Sequence, residues 1–90
     1  MPNFLGGSAF SMIKEITEGY FSISEVVLKR YTFSELIELK NEGHKQLREL
    51  RTNMPKEDPL EIQKHQRKIM RLSSTLRQIE ARILKIGRKI

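Results

Sequence analysis

Seven cations in the last third of the chain have the types and spacing to do chemistry, and the chemistry is phosphate binding. Lys64, Arg67, Lys68, Arg71, Arg82, Lys85 and Lys89 fall on one edge of a predicted helix, roughly 120° from its apolar seam at 100° per residue. Arg77 and Arg88 sit elsewhere on that wheel. Like charges on one edge repel one another, so the arrangement does not stabilise the helix by itself. A nucleic-acid backbone would relieve the repulsion and release condensed counterions. The plain alternative is a solvated face, which accounts for the charge but not for its one-sidedness. Residues 59–90 carry nine Lys or Arg against Glu61 and Glu80, a net +7, while residues 1–58 carry eight against nine acids, a net −1. The basic helix has no aromatic residue, so base stacking along a single strand is not expected of it. Contact with phosphates and with folded RNA shape fits better.

Other chemistry is thinly represented. His44 and His65 are the only histidines, and no carboxylate or thiolate falls at ligand spacing with them, so no metal site is expected. His65 reads instead as a polar residue in the seam that fixes register. Gly6-Gly7 has no phosphate-loop context, and Ser73-Ser74-Thr75 has no base beside it; the latter reads as small packing with backbone hydrogen bonds. Met12, Met54 and Met70 are spaced like core fillers. With no nucleophile–base pair and no paired carboxylates, neither an enzyme nor a cofactor or small-molecule substrate is expected.

Ninety residues, 38% hydrophobic and 31% charged, make one small domain that favours an extended helical form over a compact globule. Such a chain buries a modest fraction of its surface, so a partner is expected to supply part of the burial. The pI near 9.9 favours nucleic acid or an anionic surface. Absence of cysteine removes disulfides and thiolate sites. No apolar run is long enough to span a bilayer, and MPNFLGGSAFSMIKE has neither a basic secretory n-region nor the arginines of an organellar presequence.

The elements that must position the cations are two long helices. Thr32-Phe33-Ser34-Glu35 predicts a capping box, with Tyr31 stapled on Leu36. Leu36, Lys40, Gly43, Leu47, Leu50 and Met54 then step at a helical period, with a weak patch at Lys40, Gly43 and His44. Asp58, Pro59 and Glu61 occupy the cap, first and third positions of the next helix. Its seam runs Ile62, His65, Ile69, Leu72, Leu76, Ile79, Ile83, Ile86, Ile90, a 3.5-residue period that marks a coiled-coil seam. The predicted fold is all-α: a long antiparallel, coiled-coil-like two-helix hairpin over residues 32–90, with helices at about 33–54 and 59–88. Residues 1–31 read as an N-terminal extension. A short helix runs in it from Ser8 or Ser11 to Glu18 and ends at Gly19. Residues 21–30 fit strand alternation only in part; Ser22 to Glu25 offer a capping box, and helix is the reading taken.

Register leaves an overhang. A 32-residue helix spans roughly 48 Å and a 22-residue one roughly 33 Å. Pairing Met54 near Leu60 puts Leu36 near Ile79, so Ile83, Ile86 and Ile90 project past the first long helix. Either residues 21–30 or another molecule must cover them.

Leu47-Arg48-Glu49-Leu50-Arg51, a short loop with Pro59, and Arg67-Lys68-Ile69-Met70-Arg71-Leu72-Ser73-Ser74-Thr75-Leu76 together resemble the L-twenty-nine family of large-subunit ribosomal proteins. That family is a small helical hairpin bound to rRNA near the polypeptide exit. By position, Ile69 and Leu72 match its seam, Arg71 its motif arginine, Arg67 a basic position, Ser74 its threonine, and Glu35-Leu36 its acidic helix start. Met70, Lys68 and Gln66 depart from the family's small, small or acidic, and basic residues there. The likeness covers roughly residues 33–80, about half the chain. It implies a structural, non-catalytic constituent of the large ribosomal subunit, with rRNA and neighbouring ribosomal proteins as partners and no membrane. The ribosome would be cytoplasmic or organellar, a mitochondrial one being favoured by the extension. Two rivals follow from the residues alone: a coiled-coil interaction or assembly subunit without nucleic acid, and a peripheral membrane helix, which the narrow seam disfavours.

Overall fold

The protein is described here from a computed structural model, covering residues 7–20 and 22–87. It is all-helical, with α1 at Ala9–Glu18, α2 at Glu25–Leu28, α3 at Phe33–Thr52 and α4 at Pro59–Gly87. Each start follows from local chemistry. At α3, the Glu35 amide donates to Thr32 Oγ1 at 3.2 Å and the Thr32 amide donates to Glu35 Oε1 at 2.8 Å, closing the capping box. At α4, the Leu60 amide donates to Asp58 Oδ1 at 3.0 Å, and Pro59 takes the first helical position, where its missing N–H is no loss. Ser8 caps α1 by accepting from the Ser11 amide at 3.1 Å. Ser24, not Ser22, caps α2, accepting from the Val27 amide at 3.4 Å.

The ends are equally local. Gly19 adopts φ +90°, a left-handed conformation that costs glycine little, and the Tyr20 amide behind it donates to the Glu15 carbonyl at 3.0 Å. The first long helix stops at Thr52 rather than Met54, because Met54 precedes Pro55 and a residue before proline disfavours the α region.

Contacts between α3 and α4 pair residues in opposite senses. Leu50 meets His65, Gly43 meets Leu76, and His44 meets Glu80. The His65 ring nitrogen lies against the Leu50 carbonyl, one of the last-turn carbonyls that helix geometry leaves without an intrahelical partner. Gly43, which the sequence reads as a weak patch, is buried against Leu76 of α4, which leaves no room there for a side chain. An added Cβ would stand 2.5 Å from Leu76 Cδ2.

Residues 9–31 are more than an arm. Helix α1 packs on both α3 and α4, and Met12, Ile13 and Ile16 join Leu36, Leu39, Leu72, Leu76 and Ile79 in one buried cluster. Burying each of these side chains contributes on the order of 1.5–3 kcal/mol, so α1 supplies a large share of a core that α3 and α4 alone would leave open. Polar ties follow the apolar ones. Gln46 Nε2 donates to the Phe10 carbonyl at 3.0 Å, and Tyr31 Oη donates to Met12 Sδ at 3.4 Å. Tyr31 and Leu36 are both buried in the same cluster.

The overhang is covered from within the chain. Helix α2 packs on α4, Leu28 and Ile23 are buried, and Ile83 and Ile86 pack against the same cluster. Ile90 lies outside the described residues. The methionines do not act alike: Met12 is fully buried, whereas Met70 is 70% exposed and fills no core.

Candidate nucleic-acid interface

Helix α4 carries the candidate residues, and its flanks divide them. The seam flank holds Leu72, Leu76 and Ile79, all buried. Thr75, on the flank where the cations were expected, is also buried, because α1 and α2 pack on that side. Part of the basic edge therefore faces the rest of the chain.

Three of the seven expected cations have intramolecular partners there. Lys68 Nζ pairs with Glu18 Oε1 at 3.1 Å and Lys85 Nζ with Glu25 Oε1 at 3.2 Å. Arg71 Nη1 donates to the Thr17 carbonyl at 3.2 Å, and its guanidinium covers Gly19, where a Cβ would meet Arg71 Cζ at 3.1 Å. A cation at the end of α1 is well placed against the negative end of the helix dipole. The Glu25 carboxyl is held below the ordinary glutamate range by the hydrogen bond from Lys85, then by the charges of Lys85, Lys29 and Arg82, against a small opposing effect of desolvation.

The remaining four are dispersed. Lys64 makes only a 3.8 Å contact with Glu61 one turn away, both side chains more than half exposed, a pair of little energetic weight. Arg67 is exposed. Arg82 is half-buried, and its Nε is buried without a hydrogen-bond partner among the described residues. Lys89 lies outside them.

A second basic surface is visible only once the packing is known. The outward face of α4 carries Gln63, Gln66, Arg67, Met70, Arg71, Ser74, Arg77, Gln78, Ala81, Leu84 and Lys85, all exposed. No exposed residue of α4 between Ile62 and Gly87 is acidic. The one carboxylate in that span, Glu80, is 2.7 Å from His44 Nε2 on α3. Arg77, set aside on the sequence wheel, belongs to this face. The signal was already present as the run from Ile62 to Ile79 without an acid.

The two histidines serve separate contacts, His44 with Glu80 and His65 with Leu50. Among the described residues no three His, Cys, Asp or Glu gather around a metal-sized site, and no helix is long and apolar enough to cross a membrane.

Fold and face together define a small all-α protein built on a 29-residue rod whose solvent side is basic and free of acids over most of its length. No family model, curated protein or solved structure matches the chain.

Proposed function

We propose that this chain is a structural RNA-binding protein of the large ribosomal subunit, with α3 and α4 serving as an antiparallel hairpin laid along rRNA. The observation that carries the reading is that α4 has no exposed acid of its own between Ile62 and Gly87, with Arg67, Arg71 and Arg77 exposed there and Lys85, also exposed, paired only with Glu25 of α2. Backbone phosphates are the partner such a face suits, since each neutralised phosphate releases counterions. Binding is positional: cations along the rod let RNA segments approach one another and a neighbouring protein, and no covalent step is involved. The resemblance of residues 33–80 to the L-twenty-nine family supports a ribosomal setting.

The test is RNA binding by the whole chain across 50–200 mM salt. Affinity should fall with a log–log slope of about −0.7 to −0.9 per phosphate contacted. Arg67→Glu with Arg77→Glu should weaken binding and flatten the slope by roughly 1.4–1.8, with helicity unchanged. An unaltered slope counts against the reading. Co-sedimentation of the tagged chain with large ribosomal particles after a moderate salt wash tests the setting itself.

A second reading, a protein-interaction subunit, draws on Met70 and Leu84, which stand 70% and 60% exposed on that face. A stable oligomer indifferent to RNA in sedimentation would favour it.

A further inference from the structure

Helix α2 is seated on α4 far more thinly than α1. Helix α1 buries Ala9, Met12, Ile13, Ile16 and Thr17, whereas α2 buries only Leu28, with Glu25 and Val26 exposed. A cleft of 220 Å³ opens between α2 and α4, lined by Glu25, Leu28, Gln78, Ala81, Arg82 and Lys85. Arg82 Nε lies buried with no hydrogen-bond partner among the described residues, and Glu25 and Lys85, which both line the cleft, form an exposed pair at 3.2 Å.

An anion thus already sits on the basic edge, presented by a four-residue helix whose segment is held by Ile23 and Leu28, with Val27 packed beside them. From the paired Lys85, the orphaned Arg82 Nε and the thin seating of α2, we propose that residues 22–28 form a displaceable clasp. An RNA phosphate takes the place of the Glu25 carboxylate at Lys85, α2 lifts from α4, and the opened cleft gives the phosphate access to Arg82. Helix α1 stays in the core throughout, so Lys68 and Arg71 keep their partners. This inference rests on the RNA-binding reading and adds to it a gate on one end of the face.

Exchange of one anion for another is favoured when the resident one is a single carboxylate and the incomer belongs to a polyanion, because counterion release accompanies only the second. An isolated anion has no such advantage.

The experiment compares the full chain with Glu25→Gln and with Glu57→Gln, an exposed acid in the loop before α4. The two variants change net charge equally. Each is titrated with a structured RNA and, separately, with inorganic polyphosphate between 50 and 200 mM salt. Lys85 meets a phosphate in the complexes of both the native chain and Glu25→Gln, so the slope should be the same in the two, while loss of the competing carboxylate should tighten binding by up to about fivefold. Glu57→Gln should leave the affinity close to that of the native chain. Amide exchange gives a second readout: the Val27 and Leu28 amides should lose protection when RNA is added, while the Ile16 amide keeps it. Equal affinities for the two variants, or a steeper slope in Glu25→Gln alone, with α2 amides still protected in the complex, would overturn the clasp and leave the RNA reading standing. The expected difference with polyphosphate but no binding to RNA would retain the clasp and remove the RNA reading. No salt-dependent binding to either probe would remove both.

Discussion

Truncating Ile13 to alanine separates a single-core protein from a helical hairpin with an appended arm. Ile13 is 0% exposed and lies in the cluster that joins α1 to α3 and α4. Replacing a fully buried isoleucine by alanine costs about 2–5 kcal/mol, from lost transfer free energy plus the cavity left behind. A chain of this length has a total stability of roughly 5–14 kcal/mol at about 0.05–0.15 kcal/mol per residue. The substitution should therefore remove a large fraction of it, and at about 4–8 °C per kcal/mol the midpoint should fall by roughly ten degrees or more. Urea unfolding followed by helical circular dichroism measures this, with Val26→Ala, at a position 68% exposed, as the reference expected within about 0.5 kcal/mol. The m value carries the sharper information. If α1, α3 and α4 unfold as one unit, the midpoint drops while m is unchanged. A loss below about 0.5 kcal/mol at Ile13, or a fall in m showing that α1 comes away by itself, would refute the single core.

Two further outcomes follow from close contacts. Gly43→Ala should lower stability by up to about 2 kcal/mol in thermal unfolding: the roughly 1 kcal/mol gained in helix propensity is outweighed by about 1–3 kcal/mol of overpacking against Leu76, which is 3% exposed. In a Leu76→Ala background the same change should become stabilising, since the new methyl enters vacated space. At Glu25, Lys85 lowers the carboxyl pKa, so the pair's contribution is present above the unfolded-state value and is lost as pH falls through the lower folded one. Carbon-detected NMR titration should place the Glu25 pKa below that of the same residue in Lys85→Met, and equal values would contradict the pair.

How much of this was legible beforehand depended on the range of each interaction. The Thr32–Glu35 box, the Asp58-Pro59 start and the Gly19 stop involve groups a few residues apart, and the structure bears out all three. The seam from Leu72 to Ile79 was legible too, because one helix determines its own apolar azimuth. The flank that α1 occupies was not. A wheel drawn for α4 alone cannot say whether Lys68, Arg71 and Lys85 face water or another segment, and Thr75, lying among them, was the one hint that the flank is covered. Met70 shows the converse error: its type and chain spacing suggested packing, yet its azimuth lies well off the seam and it is exposed.

Internal pairing does not disqualify the basic edge from binding a polyanion. The Lys85–Glu25 pair joins side chains about 60% exposed, and pairs of that kind contribute roughly 0–1 kcal/mol. Moving a lysine from a carboxylate to a phosphate exchanges one charge-assisted hydrogen bond for another of similar strength. What decides the exchange is the rest of the partner. A lone anion meets only the cation whose carboxylate it displaces, whereas a backbone also meets Arg67 and Arg77, which form no ion pair among the described residues and are exposed on the outward face of α4. The paired and unpaired cations thus have different roles. The unpaired ones supply affinity for any extended polyanion, and the paired ones admit only a partner already held by the others.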